Sequence, residues 1–180
     1  MTRVIASVYA TLDGRVDDMR QWTMAYDSAA AVEYHSALLR DCGGLLLGRR
    51  TYEIFAQLWP AKAGELAYID RLNALPKHVA STTLGTLGWE NSRLIAGSAV
   101  PGVAALRAGT GPDLVLYGGP ALVRTLLAHG LVDELRMLVH PVLLGGGRGL
   151  LGEDGPLTRL TLVDSAVIAS GVAVLTYRPV

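Results

Sequence analysis

The chain has little of anything that would hold it together covalently or anchor it to a charged or apolar partner. A single cysteine in 180 residues excludes both a disulfide framework and a four-thiolate metal site. That residue, Cys42, stands beside Gly43-Gly44 at the expected end of a helix. There it reads as a small buried filler rather than a nucleophile, in keeping with a reducing, cytoplasmic setting. Neither sign of charge is in excess. Sixteen Lys and Arg against sixteen Asp and Glu leave no field to draw nucleic acid or an acidic membrane, so the expected partner is a small molecule. No apolar run reaches the roughly 20 residues that cross a bilayer, because Arg, Asp, His or clustered Gly breaks each candidate. The opening Met1-Thr2-Arg3 is followed by Val4-Ile5-Ala6-Ser7-Val8, which lacks the form of a signal peptide and reads as a first strand. The histidines, His35, His78, His129 and His140, have no metal-ligand spacing, and no metal is expected. His35 reads as an ordinary helical residue, and His129 as a cation near a helix C-terminus. No serine stands in a nucleophile elbow.

What is present is apolar: 51% of the residues are hydrophobic, and 180 residues suit one domain over 1–180. Val4 to Leu12 is a β-branched run closed by the turn dipeptide Asp13-Gly14. Asp27 or Ser28 can cap a helix carrying Ala31, Tyr34 and Leu38 until Gly43-Gly44. Leu45-Leu46-Leu47 reads as a buried strand, followed by helices over about Thr51 to Trp59 and Gly64 to Ala74. His78 to Ser81 and Arg93 to Ala96 are short strand candidates, and Pro101 to Ala108 a short helix. Leu114 to Tyr117 is another buried strand, and Pro120 opens the helix after it. Glu134 to Leu144 returns as a strand, and Leu157 to Ala169 pairs with Val172 to Arg178 across Ser170-Gly171. Alternating strands and helices imply a mostly parallel α/β sheet with helices on both faces and an antiparallel C-terminal hairpin.

Two strand-to-helix junctions carry the chemistry. In Gly48-Arg49-Arg50-Thr51, free N–H groups at a helix start, forked guanidinium donors and a hydroxyl converge, as a phosphate requires; the competing reading is a solvated basic corner. Tyr117-Gly118-Gly119-Pro120-Ala121-Leu122 offers the same geometry with no side chain in the way, against the reading of a plain tight turn. Two such junctions at the carboxyl ends of parallel strands place one ligand across both. Gly147-Arg148-Gly149-Leu150-Leu151-Gly152 matches the glycine spacing of a dinucleotide fingerprint, but Glu153-Asp154-Gly155-Pro156 follows in place of a helix. It reads as a loop.

In order along the chain, Ala10-Thr11-Leu12-Asp13-Gly14, Gly48-Arg49-Arg50-Thr51-Tyr52, Ala80-Ser81-Thr82, Leu116-Tyr117-Gly118-Gly119-Pro120 and Pro141-Val142-Leu143-Leu144-Gly145 resemble the superfamily of dihydrofolate reductase and the riboflavin-biosynthesis reductase. The resemblance implies a three-layer fold of that type, an NADPH-dependent reductase activity and a homodimer. It puts Arg49 on the 2′-phosphate, Arg50 and Thr51 on the pyrophosphate, and Ser81 and Thr82 beside the adenosine. The Gly118-Gly119 pair, often a cis peptide in that family, falls on the pyrophosphate and nicotinamide side, with Pro120, Ala121 and Leu122 after it. Ala10, Thr11, Asp13 and Val16 would border the substrate, and Asp17 to Tyr26 would form a lid whose Trp22 either packs on ligand or anchors the lid. Asp27 and Glu33 compete for the catalytic carboxylate, with helix capping the other reading of Asp27. The cation that holds a folate tail has only Lys77 as a candidate, which argues against folate as substrate. One cysteine cannot supply the zinc site of a deaminase half, so the chain is at most a reductase. A non-catalytic nucleotide-binding module and a structural subunit are the alternatives.

Overall fold

The computed structural model describes residues 1–152, 155 and 157–180. In chain order its elements are β1 (Val4–Thr11), α1 (Ala29–Arg40), β2 (Gly44–Gly48), α2 (Arg49–Leu58), α3 (Ala67–Ala74), β3 (Lys77–Ala80) and β4 (Ser92–Leu94). They continue with α4 (Ala99–Ala108), β5 (Leu114–Tyr117), α5 (Pro120–Ala128), β6 (Glu134–His140), β7 (Leu160–Val167) and β8 (Ala173–Pro179). The strands form one sheet in the order β4-β3-β2-β5-β1-β6-β8-β7. Every pairing from β4 to β6 is parallel, and β8 runs antiparallel to both β6 and β7.

The period-2 pattern of the strands divides the core into two layers. Val4, Ala6, Val8 and Ala10 of β1 join Leu46, Leu116 and the α4 and α5 residues Val103, Leu122, Val123 and Leu126 on one face. Ile5, Leu45, Leu47, Val79 and Val115 face the other way, against Leu38 and Leu39 of α1, Tyr52 of α2 and Leu72 of α3. The expected α/β sheet with helices on both faces is therefore the observed one.

Several boundaries differ from the sequence reading, each for a local reason. α2 starts at Arg49 because Gly48 is already extended, at φ −77° and ψ 160°, and serves as its N-cap. α1 is capped by Ser28 and not Asp27, with Ser28 Oγ accepting from Ala31 N at 3.2 Å. β6 stops at His140 because Pro141 has no N–H for the ladder. α3 opens only at Ala67, while Gly64 sits at φ +84° and donates its N–H to Asp70 at 2.8 Å. The glycine-rich run after β6 is held to the segment after β1, with Val16 N donating to Arg148 O at 3.0 Å and a bridge between Arg15 and Gly149. Of the stretch read there as non-helical, Glu153, Asp154 and Pro156 lie outside the described residues. Among the described residues, no helix is long and apolar enough to cross a membrane.

Candidate functional site at the carboxyl edge of the sheet

Register brings the two junctions side by side. Gly48 pairs with Ala80 and Leu46 with Leu116, so the ends of β2, β3 and β5 share one edge, where Arg49, Ser81 and Gly118 follow directly. The N-cap residues of α2 and α5 are Gly48 and Gly119, which bring no capping side chain and leave the first turns open to a ligand. Gly118 and Gly119 lie in the left-handed region at φ +53° and +59°. The sequence resemblance suggested a cis peptide here, but the described residues contain none; positive φ at both glycines makes the turn instead. A Cβ on either glycine would stand 3.5–3.6 Å from Thr51 Oγ1, so the second junction forms a bare cradle facing the hydroxyl of the first.

The remaining residues assigned to this end are placed as follows. Arg49 Nη1 is 3.8 Å from Glu53 Oε1, a loose surface contact, and Arg50 is exposed. Ser81 Oγ accepts from Thr83 N and Leu84 N at 3.2 and 3.1 Å, shaping the turn after β3, and Thr82 is exposed. Pro120 opens α5, Ala121 is exposed, and Leu122 is buried, its side chain 3.8 Å from where a Cβ on Gly48 would be.

A second cluster lies between β1, the start of α1 and the end of β6. A cavity of about 20 Å³, room for about one water, is lined by Tyr9, Asp27, His35 and His140 among others. His140 is buried with its ring 5.0, 5.0 and 5.5 Å from those of Tyr9, Trp22 and Tyr26. Its Nδ1 lies 3.0 Å from Leu138 O; a carbonyl only accepts, so Nδ1 carries the proton and Nε2 of the neutral ring is left as an acceptor. Burial pushes the His140 imidazole below its usual value, against the opposing pull of that carbonyl. Asp27 lines this cavity, whereas Glu33 is exposed on α1 and is not among the lining residues.

Trp22 is buried, donates Nε1–H to Asp17 O at 3.1 Å and meets His140 edge-on. The segment read as a lid contains two short 3-10 turns, Met19–Gln21 and Met24–Tyr26, and Tyr26 Oη donates to Pro141 O at 3.4 Å. Ala10 and Val16 are buried in the same core cluster as Leu122. Asp13 accepts from Thr11 Oγ1 at 2.5 Å and from the N–H groups of Leu144 and Gly145 at 3.2 and 2.9 Å. The Thr11 hydroxyl, then the two backbone donors, hold its carboxyl down at about 2.

This value lies below the 3.8 of the free side chain. The unfolded chain therefore takes up the proton first, and the stability lent by Asp13 is complete above the unfolded value and lost as pH falls toward the folded one. Asp13→Asn should remove that acid dependence and raise hydrogen exchange at the Leu144 and Gly145 amides. Unchanged protection would contradict the strapping role.

Lys77 is no anchor for an anionic tail. It is 1% exposed, donates from Nζ to Asn73 O and Glu90 O, and lies 4.3 Å over the Trp89 ring. Burial pushes it down to about 8. Tyr9, His35 and His140 were missed as site residues because their contacts join segments 26 to 131 positions apart. The only sequence signal for them was polar aromatic residues interrupting apolar runs.

A mostly parallel sheet with helices on both faces, two open strand–helix junctions on one edge and an antiparallel final pair defines a dihydrofolate reductase-like α/β fold. A sequence profile for the RibD C-terminal domain matches residues 2–174, and the chain belongs to that family. The uncharacterized protein YyaP of Bacillus subtilis is 26% identical over 182 residues, covering 98% of this chain and 94% of its own. A Shewanella sp. PV-4 protein whose name assigns it to riboflavin biosynthesis superposes with a TM-score of 0.79 at 25% identity, covering 99% of both chains. Enterococcus faecalis dihydrofolate reductase, solved with NADP(H), superposes with a TM-score of 0.61 at 12% identity over 98% of this chain and 96% of its own, and so shares the fold.

Proposed function

We propose that this chain is an NADPH-dependent reductase that passes a hydride to a small heterocyclic, imine or carbonyl substrate of pteridine or riboflavin-precursor type, with dihydrofolate itself disfavoured. The observation that carries this reading is the bare Gly118-Gly119 cradle facing Thr51 Oγ1 across two uncapped helix starts. A pyrophosphate fits such a place because backbone N–H groups approach it unhindered and helix ends favour its charge. Arg50 and Thr51 would hold it, Arg49 the 2′-phosphate, Ser81 and Thr82 the adenosine, and Gly118 to Leu122 the inner half. When bound, the cofactor supplies the hydride.

The chain's own residues orient the substrate and handle the proton. Asp27, which lines the cavity and is open to solvent, is the better placed of the two candidate acids to pass a proton inward; Glu33 is exposed on α1 and is not among the lining residues. Trp22 and Tyr26 shield His140 from water. Saturating NADPH should raise the melting temperature by several degrees through binding linkage, and NADH by much less. No shift with either would overturn the reading. The small volume of the cavity favours one alternative, a nucleotide-binding module without catalysis, which would bind NADPH but turn over no pteridine or imine substrate.

We also propose a homodimer and a cytoplasmic location for this 1–180 unit. β7 is a sheet edge exposed along its length, with Leu162, Val163 and Val167 at 51%, 42% and 74% exposure. An open apolar edge is a template for pairing. Light scattering should give twice the 19.1 kDa chain mass, and Val163→Lys should halve it. A monomer at working concentration would remove the dimer.

A further inference from the structure

On the α1 face of the sheet, three side chains from distant segments form one hydrogen-bonded chain. Tyr9 Oη lies 2.6 Å from His35 Nε2, and His35 Nδ1 lies 3.1 Å from Tyr117 Oη. Tyr9 and His35 line the cavity, and Tyr117 immediately precedes Gly118 of the cradle. Burial pushes His35 down to about 4 and both phenols up, so all three are neutral near pH 7.

A neutral imidazole has one N–H and one lone pair, which permits only two arrangements. In the first, Tyr9 donates to Nε2, Nδ1–H donates to Tyr117, and the lone pairs of Tyr9 face the cavity. In the second, Tyr117 donates to Nδ1, Nε2–H donates to Tyr9, and the hydroxyl hydrogen of Tyr9 is free for a ligand. Tyr9 can thus serve as acceptor or donor while no charge is created. It is not the proton source, because giving up its proton would leave a buried phenolate that burial opposes.

The lining also sets a charge requirement. Asp27 is the one acidic side chain among its ten lining residues, and none of the ten is Lys or Arg. A carboxylate or phosphate entering there would meet a like charge and no compensating cation. The volume admits a single heteroatom rather than a whole ring.

We infer that Tyr9 is a substrate-contacting residue oriented by His35 against Tyr117, and that this recess takes an uncharged ring nitrogen, amide or carbonyl group in preference to an anionic one. The inference rests on the reductase reading only for what happens to the substrate afterwards. Its test does not use the cofactor.

Uracil and orotate share a ring and differ by a carboxylate, so NMR titration with both probes, ligand-observed for affinity and nitrogen-observed for the histidine rings, separates the two cases. Uracil should bind wild-type protein and shift the His35 ring nitrogens, and orotate should bind at least about 10-fold more weakly, the factor for roughly 1.4 kcal/mol. Tyr9→Phe should weaken uracil about 5-fold, within the range of one neutral hydrogen bond. His35→Gln, which keeps a donor and an acceptor, should retain more affinity than His35→Leu. If His35→Leu does not fold, Tyr9→Phe and the orotate comparison still decide. Equal binding of uracil and orotate, an unchanged uracil affinity in Tyr9→Phe, or no response of His35 to uracil would each overturn the inference. A failure of NADPH to bind would instead overturn the cofactor reading and leave this one standing.

Discussion

Arg49→Ala should lower NADPH affinity by about 10- to 100-fold and change NADH affinity by no more than a few-fold. The magnitude follows from a charge-assisted hydrogen bond of about 1.5–3 kcal/mol to a group that NADH lacks. Arg49 is suited to this because it leaves Gly48 at the first position of α2, half exposed, with the Glu53 carboxylate, 3.8 Å away, as its only partner among the described residues. Neutralising that competitor with Glu53→Gln should tighten NADPH slightly. A ratio of NADPH to NADH affinity unchanged in Arg49→Ala, measured by reduced-nicotinamide fluorescence, would contradict the 2′-phosphate role.

Leu46→Ala should lose about 2–5 kcal/mol of stability and about 5–15 °C of melting temperature. Leu46 is fully buried in β2, between β3 and β5, and packs in the cluster that holds Leu116, Val123 and Ile95. The truncation opens a cavity that a sheet covered by helices on both faces is poorly able to close. Thermal denaturation within a degree or two of wild type would contradict that placement. The same strand carries the cradle's neighbour Gly48, so a loss of NADPH binding in this variant should follow unfolding rather than precede it.

How much of this was legible in the sequence depended on the range of the contacts involved. Leu45-Leu46-Leu47 and Leu114 to Tyr117 announced buried parallel strands because their runs are apolar on both faces, and Pro120 marked the start of a helix by its fixed φ. The junctions were legible because each is a contiguous run. Their adjacency was not, since it depends on β2 pairing with β5 across some 70 residues.

The inner cluster was harder to read. Tyr9, His35 and Tyr117 come from a strand, a helix and another strand, and only the fold reveals that their polar atoms meet. Asp13 carried the opposite lesson: a residue read as bordering the substrate spends its carboxylate on the Leu144 and Gly145 amides. Lys77, the one candidate for an anionic tail, is consumed by the Asn73 and Glu90 carbonyls in the same way. A charged side chain folded back on the chain recruits backbone partners, and composition alone cannot show that it has done so.

The most direct test of the central claim is a fluorescence titration of the purified wild-type protein with NADPH and with NADH. The site described here predicts saturable, NADPH-selective binding that Gly119→Val abolishes by filling the cradle beside Thr51. Saturable binding of neither nucleotide, or binding that Gly119→Val leaves untouched, would contradict it.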